Sequence, residues 1–132
     1  MNREPRFLSI SEVIEIHENE IKEAGGLSGI RDRNNLESAV AAPQASFENE
    51  FLMDIFEMAA TYLNSIAMNH PFFDGNKRTA LASALTFLFI NGYEIDEIYD
   101  EELADKTLDL INRLISKSDM SNLFSTRCKA IE

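Results

Sequence analysis

Only three formally charged side chains lie between Glu57 and Glu94, and all three fall within one run of nine residues, His70-Pro71-Phe72-Phe73-Asp74-Gly75-Asn76-Lys77-Arg78. Flanking segments so poor in charge have to be covered by protein. Upstream, Phe51, Ile55, Met58, Ala59, Tyr62 and Ile66 form a helical stripe in a segment read from Glu50 to Asn69. Downstream, Asn76 to Asn91 is apolar on nearly every face, the pattern of a central helix, and Gly92 supplies a stop. The run is therefore expected to be a loop held between two core helices.

That loop carries a base, an acid, an amide and two cations. Pro71 disfavours helical geometry at His70, so the incoming helix should end there and leave the imidazole at the loop mouth. Histidine is the side chain best suited to take a proton near neutral pH. Phe72 is expected to anchor the loop in the core, because one aromatic suffices. Asp74 offers oxygen ligands suited to Mg²⁺, which usually meets protein through one or two carboxylates. Gly75 permits positive φ and close approach of the backbone to a ligand. Asn76 is expected to cap the following helix, whose first N–H groups then form an anion site. Lys77 adds a point charge and Arg78 a planar, bidentate phosphate donor.

These nine contiguous residues resemble the active-site motif of the Fic family, His-Pro-Phe-x-Asp/Glu-Gly-Asn-x-Arg. The resemblance continues through Gly25-Gly26-Leu27, Gly29-Ile30-Arg31-Asp32, Leu36-Glu37-Ser38-Ala39, Pro43-Gln44, Ala60-Thr61-Tyr62-Leu63, Thr79-Ala80-Leu81 and Asn91-Gly92, fading after about residue 98. Lys77 and Leu81 look like the death-on-curing (Doc) branch, whereas AMP-transferring members carry a glycine and a second arginine there. The resemblance implies a compact Fic-type helical bundle that binds ATP with its γ-phosphate at the reactive position. It assigns His70 as general base toward a Ser or Thr hydroxyl and Asp74 as Mg²⁺ ligand. Gly75, Asn76, Lys77 and Arg78 become the nucleotide and phosphate holders, with Asp74, Lys77 and Arg78 joining His70 in catalysis. It further implies a toxin acting on a translation factor such as elongation factor Tu. Pro71 and Gly75 look like the AMP-transferring pattern, so protein AMP transfer stands as an alternative, beside a non-enzymatic nucleotide- or protein-binding module.

Many Fic proteins restrain themselves with a helix bearing Ser/Thr-x-x-x-Glu-Gly/Asn. The Glu18-Asn19 and Glu48-Asn49 pairs have Ile14 and Gln44 where Ser or Thr is needed, and Leu81 replaces the arginine that such a glutamate engages. Control by an antitoxin in trans is the expectation. The segment from Leu27 to Asp32 is a candidate for the flap with which family members dock a target backbone. Gly25, Gly26 and Gly29 equally suit mere loop punctuation, with Arg31 and Asp32 paired on the surface.

The rest of the chain reads as helices and short connectors, giving an all-α expectation. Ser9 and Glu12 have capping-box spacing, and Val13, Ile14, His17 and Ile21 follow at helical intervals until Gly25. His17, on that helix, is read as structural. Asn34 or Asn35 is expected to cap a short helix through Ala42, limited by Pro43, with a loop after it. Acidic Asp100, Glu101 and Glu102 open a helix whose Leu103, Thr107, Leu110, Ile111, Leu114 and Ile115 should face inward. A last helix is expected from Ser118 or Asp119. Between these, Gly92 to Asp100 has room for a brief extended piece.

With 132 residues and 45% hydrophobic content, the chain fits one domain spanning 1–132. A formal charge of −11 argues against nucleic acid or an anionic membrane as partner. The apolar stretch from Thr79 to Ile90 is too short to span a bilayer, which needs about 20 residues. A lone cysteine, Cys128, excludes an internal disulfide, and the N-terminus lacks a secretory apolar run, so a cytoplasmic location is expected. Cys128, beside Lys129, is read as inert, with the cation modestly favouring its thiolate.

Overall fold

The computed structural model describes residues 4–131, so the first three residues of the N-terminal segment read for a secretory signal lie outside it. Helix α1 (Ile10–Ala24) begins where Ser9 and Glu12 close the reciprocal capping box, and it ends at Gly25 with φ +81°. Helix α2 (Arg33–Ala41) is capped by Asp32, whose carboxylate accepts from Asn35 N, rather than by Asn34 or Asn35. The aspartate wins because its backbone is extended at φ −146°, whereas both asparagines are already helical. Pro43 then sits inside a short 3₁₀ turn, Ala42–Gln44.

The expected helix from Glu50 starts five residues later. Asp54 and Glu57 form a capping box that sets the start of α3 (Ile55–Asn69), and Glu50–Phe51 instead becomes β2, paired antiparallel with β1 (Ser46–Phe47). Phe51 is therefore 40% exposed, with its ring edge-on to Phe7, instead of joining the α3 stripe. Helix α4 (Asn76–Ile90) follows α3 after a six-residue connection and packs along it.

β3 (Tyr93–Ile95) occupies the place read as a brief extended piece. It pairs antiparallel with β4 (Cys128–Ala130) near the end of the described chain, Tyr93 opposite Ala130 and Ile95 opposite Cys128. Between them lie α5 (Asp100–Ile111) and α6 (Lys117–Arg127), the latter capped by Ser116 and Asp119. Leu103, Thr107 and Leu110 face inward as expected, but Arg113 turns to φ +60° beyond the end of α5 and leaves Leu114 73% exposed. Burial pushes the Cys128 thiol up, which opposes the thiolate that Lys129 was expected to favour.

Among the described residues, six α-helices and no strand longer than three residues make this an all-α fold. Helix α3 lies at its centre, against α2, α4, α5 and α6, and contributes Met58, Tyr62, Leu63 and Ile66 to one buried apolar cluster. The hydroxyl of buried Tyr62 accepts from Leu8 N at 3.0 Å and fastens the N-terminal segment. At the far end of α4, Asn91 grips that segment twice: Arg6 N donates to its Oδ1 (2.8 Å), and its Nδ2 donates to Arg6 O (2.9 Å) and Phe87 O (2.8 Å).

Two hydroxyls on α4, Thr79 Oγ1 and Ser83 Oγ, are buried with no hydrogen-bond partner among the described residues. An unmatched buried hydroxyl costs free energy, and valine matches threonine in shape. Thr79→Val is accordingly expected to raise stability by about 1 kcal/mol, read as a higher urea midpoint at unchanged slope.

Candidate active site

The loop between α3 and α4 is built by three constraints. The first is at His70, the C-terminal cap of α3, whose backbone is left-handed at φ +47° and ψ +55°. Such geometry costs a non-glycine residue about 1 kcal/mol or more, and it presents an exposed imidazole. Arg31 compensates: its Nε donates to His70 O (2.7 Å) and its Nη2 to Asn69 O (3.2 Å), a cation on the last carbonyls of a helix. Asn35 and Asn69 add reciprocal side-chain to backbone bonds. Arg31 and Asp32 thus do not pair with each other; one clamps α3 and the other caps α2.

The second constraint is the core anchor. Phe72 is 1% exposed while Phe73 is 55% exposed, so the two adjacent rings lie on opposite sides of the loop. Asn76 secures Phe72 from both directions: Phe72 N donates to Asn76 Oδ1 (3.0 Å) and Asn76 Nδ2 donates to Phe72 O (2.9 Å). This overturns Asn76 as the cap of α4. The capping position belongs to Gly75, left-handed at φ +73°, and Asn76 is the first helical residue with its amide turned back into the core. Its backbone N–H remains at the helix N-terminus, where anions are favoured.

The third constraint comes from the segment between α1 and α2. Ile30 forms a β-bridge with Phe72, Arg31 N and Asp32 N donate to Pro71 O (2.8 and 3.1 Å), and Phe73 N donates to Gly29 O (3.3 Å). The stretch read as a flap is therefore laced along the loop. It also reaches the acid, since Leu27 N donates to Asp74 Oδ2 (3.2 Å) while Gly75 N donates to Asp74 Oδ1 (2.9 Å). These N–H groups, Leu27 first, hold the Asp74 carboxyl below the usual carboxylate range, with Arg78 adding to the effect. Asp74 is exposed and stays charged to more acidic pH than a free aspartate.

Gly26 makes this approach possible. Its φ is +122°, and a Cβ there would stand 2.7 Å from Asp74 Oδ2. Gly26→Ala is expected to displace the carboxylate and cost about 1–3 kcal/mol through backbone strain, measurable by thermal unfolding.

His70, Phe73, Asp74, Gly75, Asn76, Lys77 and Arg78 line one open pocket of about 370 Å³. Lys77 is exposed, and half-buried Arg78 crosses to donate from Nη2 to Gly25 O at 3.1 Å. A cleft of comparable size, about 330 Å³, is lined by Leu85, Thr86, Leu88, Phe89, Glu94 and Ile95, with no cation to meet a phosphate. The first pocket joins an imidazole, a carboxylate, two cations and a helix N-terminus, a set suited to phosphate chemistry. Leu81, one turn beyond, is half-buried against the core.

Sequence reading missed Arg31, Asn35 and Gly26 as supports of this loop and gave His17 no part in it. The ring of His17, 1% exposed, stacks on Phe72 with centroids 3.8 Å apart and planes 4° from parallel. Only the Gly25-Gly26 pair carried a local signal, since two successive glycines mark backbone that a side chain would obstruct.

The comparisons with known proteins agree with this geometry. The Fic/DOC family profile matches residues 7–88. The chain is 40% identical to the "Protein kinase doc" of Escherichia phage P1 over 117 residues, covering 89% of this chain and 91% of that protein. It is also 40% identical to the "Toxin Doc" of Mycolicibacterium smegmatis over 94 residues, 70% of each. With the motif at the loop and most of its length matched, the chain belongs to the Fic/DOC family, in its Doc branch.

Proposed function

We propose that this protein is a Doc-like toxin that transfers the γ-phosphate of ATP to a Ser or Thr hydroxyl of a translation factor, with elongation factor Tu the leading candidate. The observation that carries the reading is the convergence of His70, Asp74, Lys77 and Arg78 on one pocket at the α4 N-terminus. His70 takes the hydroxyl proton, the target oxygen forms a bond to the γ-phosphorus, and the bond from that phosphorus to the bridging oxygen breaks, releasing ADP. Lys77, Arg78 and the Asn76 N–H hold the phosphate oxygens as charge redistributes, while the Gly75 N–H stays on Asp74 Oδ1. The name of the phage relative, a protein kinase, supports the γ-phosphate assignment.

The Asp74 carboxylate fits Mg²⁺, being exposed and held in its charged form. No group of three or more His, Cys, Asp or Glu side chains among the described residues is placed to hold a metal. Mg²⁺ commonly meets protein through one or two carboxylates, with phosphate and water as its other ligands. When bound, it would neutralise phosphate charge. An antitoxin in trans, covering the loop, is the partner this reading implies. No helix of the described residues is long and apolar enough to cross a membrane.

AMP transfer is the second reading, favoured by Pro71 and Gly75 and opposed by Lys77 and Leu81. Parallel reactions with bacterial lysate, Mg²⁺ and ATP labelled at either the γ- or the α-phosphate decide between them. Protein labelling from γ-labelled ATP alone is the expected result. Labelling from the α-position would establish AMP transfer, and labelling from neither would favour a binding module.

A further inference from the structure

We propose that His17, outside the motif and 57 residues before Asp74, is a positioning residue that sets the direction of the Gly75 N–H in the phosphate pocket. This inference rests on the phosphoryl-transfer reading for its kinetic consequence and on geometry alone for its structural one. His17 Nε2 lies 2.8 Å from the main-chain oxygen of Asp74. A carbonyl oxygen only accepts, so the ring carries a proton at Nε2 and donates it. The Asp74–Gly75 peptide is trans, as are all described peptide bonds, and in a trans peptide the C=O and N–H point in opposite directions. Fixing the carbonyl toward buried His17 therefore turns the Gly75 N–H outward, where it meets Asp74 Oδ1 at 2.9 Å on the pocket side.

The same ring lies flat against Phe72, so one side chain governs both the anchor and the acid end of the loop. The space is close: a Cβ on Gly75 would come within 3.8 Å of His17 Cδ2 and 3.1 Å of Ile21 Cδ1. Helix α1 is thus the floor on which the phosphate loop is levelled. Packing alone would ask only for a flat apolar ring at residue 17, whereas positioning requires a donor at the Nε2 position.

Two variants separate these roles in opposite directions. His17→Phe keeps the stack and removes the donor; His17→Gln removes the stack and places an amide N–H near the Nε2 position. Positioning predicts that His17→Phe raises the KM for Mg·ATP about 10–100-fold, the usual range for a residue supporting a ligand-holding group, with kcat less affected, and that His17→Gln recovers most of the loss. A phenylalanine variant as active as wild type, or a glutamine variant no better than phenylalanine, overturns the proposal.

The ¹⁵N-labelled protein supplies a test independent of activity. The Gly75 amide resonance should shift in His17→Phe and hold in His17→Gln, and in wild type the His17 ring should be protonated at Nε2. An unprotonated Nε2 overturns the proposal without any variant. Wild type that transfers no phosphate but meets these spectroscopic expectations would sink the phosphoryl-transfer reading and leave the positioning geometry standing.

Discussion

Replacing His70 with alanine is expected to lower phosphoryl transfer about 10²–10⁴-fold, the range for loss of a general base, without loss of fold. The imidazole is exposed, and only the main-chain carbonyl of His70 has a role in holding the loop, accepting from Arg31. A second variant makes the test sharper. Because residue 70 sits at φ +47°, His70→Gly should be as inactive as His70→Ala yet about 1 kcal/mol more stable, since glycine adopts that backbone without strain. Rates measured alongside urea unfolding check both halves. An alanine variant with near-normal transfer would remove the base from the mechanism, and a glycine variant less stable than alanine would refute the strain argument.

Asn76→Ala should be the most damaging change to the fold of the loop. It removes both bonds to Phe72, whose N–H and C=O would be left buried and unmatched at about 1–3 kcal/mol each. A total loss of about 3 kcal/mol is expected once partial relaxation is allowed, visible as a lower denaturant midpoint. Activity should fall further than stability, even when assayed well below the unfolding temperature, because the freed Phe72 no longer fixes Asp74 two residues on. Asn76→Asp should not rescue either property. It keeps an acceptor for Phe72 N but sets a carboxylate oxygen against Phe72 O, where the amide Nδ2 now donates at 2.9 Å. Wild-type stability in either variant would mean that the paired bonds do not hold the loop.

What could be read in the sequence was local. The capping box of Ser9 and Glu12, the stop at Gly25 and the contiguous motif all act within a few residues, and each lies where the spacing placed it. The start of α3 was misread because Phe51 and Ile55 continue the helical stripe. The Asp54 and Glu57 pair, spaced like a capping box, was the overlooked signal. Asp32, three residues before Asn35, offered a similar clue for α2.

The site divides in the same way. His70, Asp74, Lys77 and Arg78 are neighbours in sequence and were legible as a set. Arg31, His17 and Gly26 act on them across 39, 57 and about 48 residues, through contacts that exist only once α1 and α2 pack beside the loop. No periodicity records such contacts. The amide of Asn76 was misassigned for a related reason: asparagine is both a good cap and a good two-way bridge to backbone, and only the burial of Phe72 decides between them.

The grip of Asn91 on the N-terminal segment also bears on how the protein ages. Asn91 precedes Gly92, and an asparagine followed by glycine is the pairing most open to spontaneous deamidation, because glycine leaves its nitrogen free to attack the side-chain amide. In the folded chain that amide is committed to Arg6 and Phe87, and Gly92 N is engaged with Phe89 O at 3.1 Å. Folding therefore shields the bond. A molecule that lingers unfolded would return with a carboxylate facing two carbonyl oxygens, and only the bond from Arg6 N would be left to fasten that segment to residue 91. Deamidation during prolonged unfolding would thus leave a lasting chemical mark at the end of the bundle opposite the candidate active site.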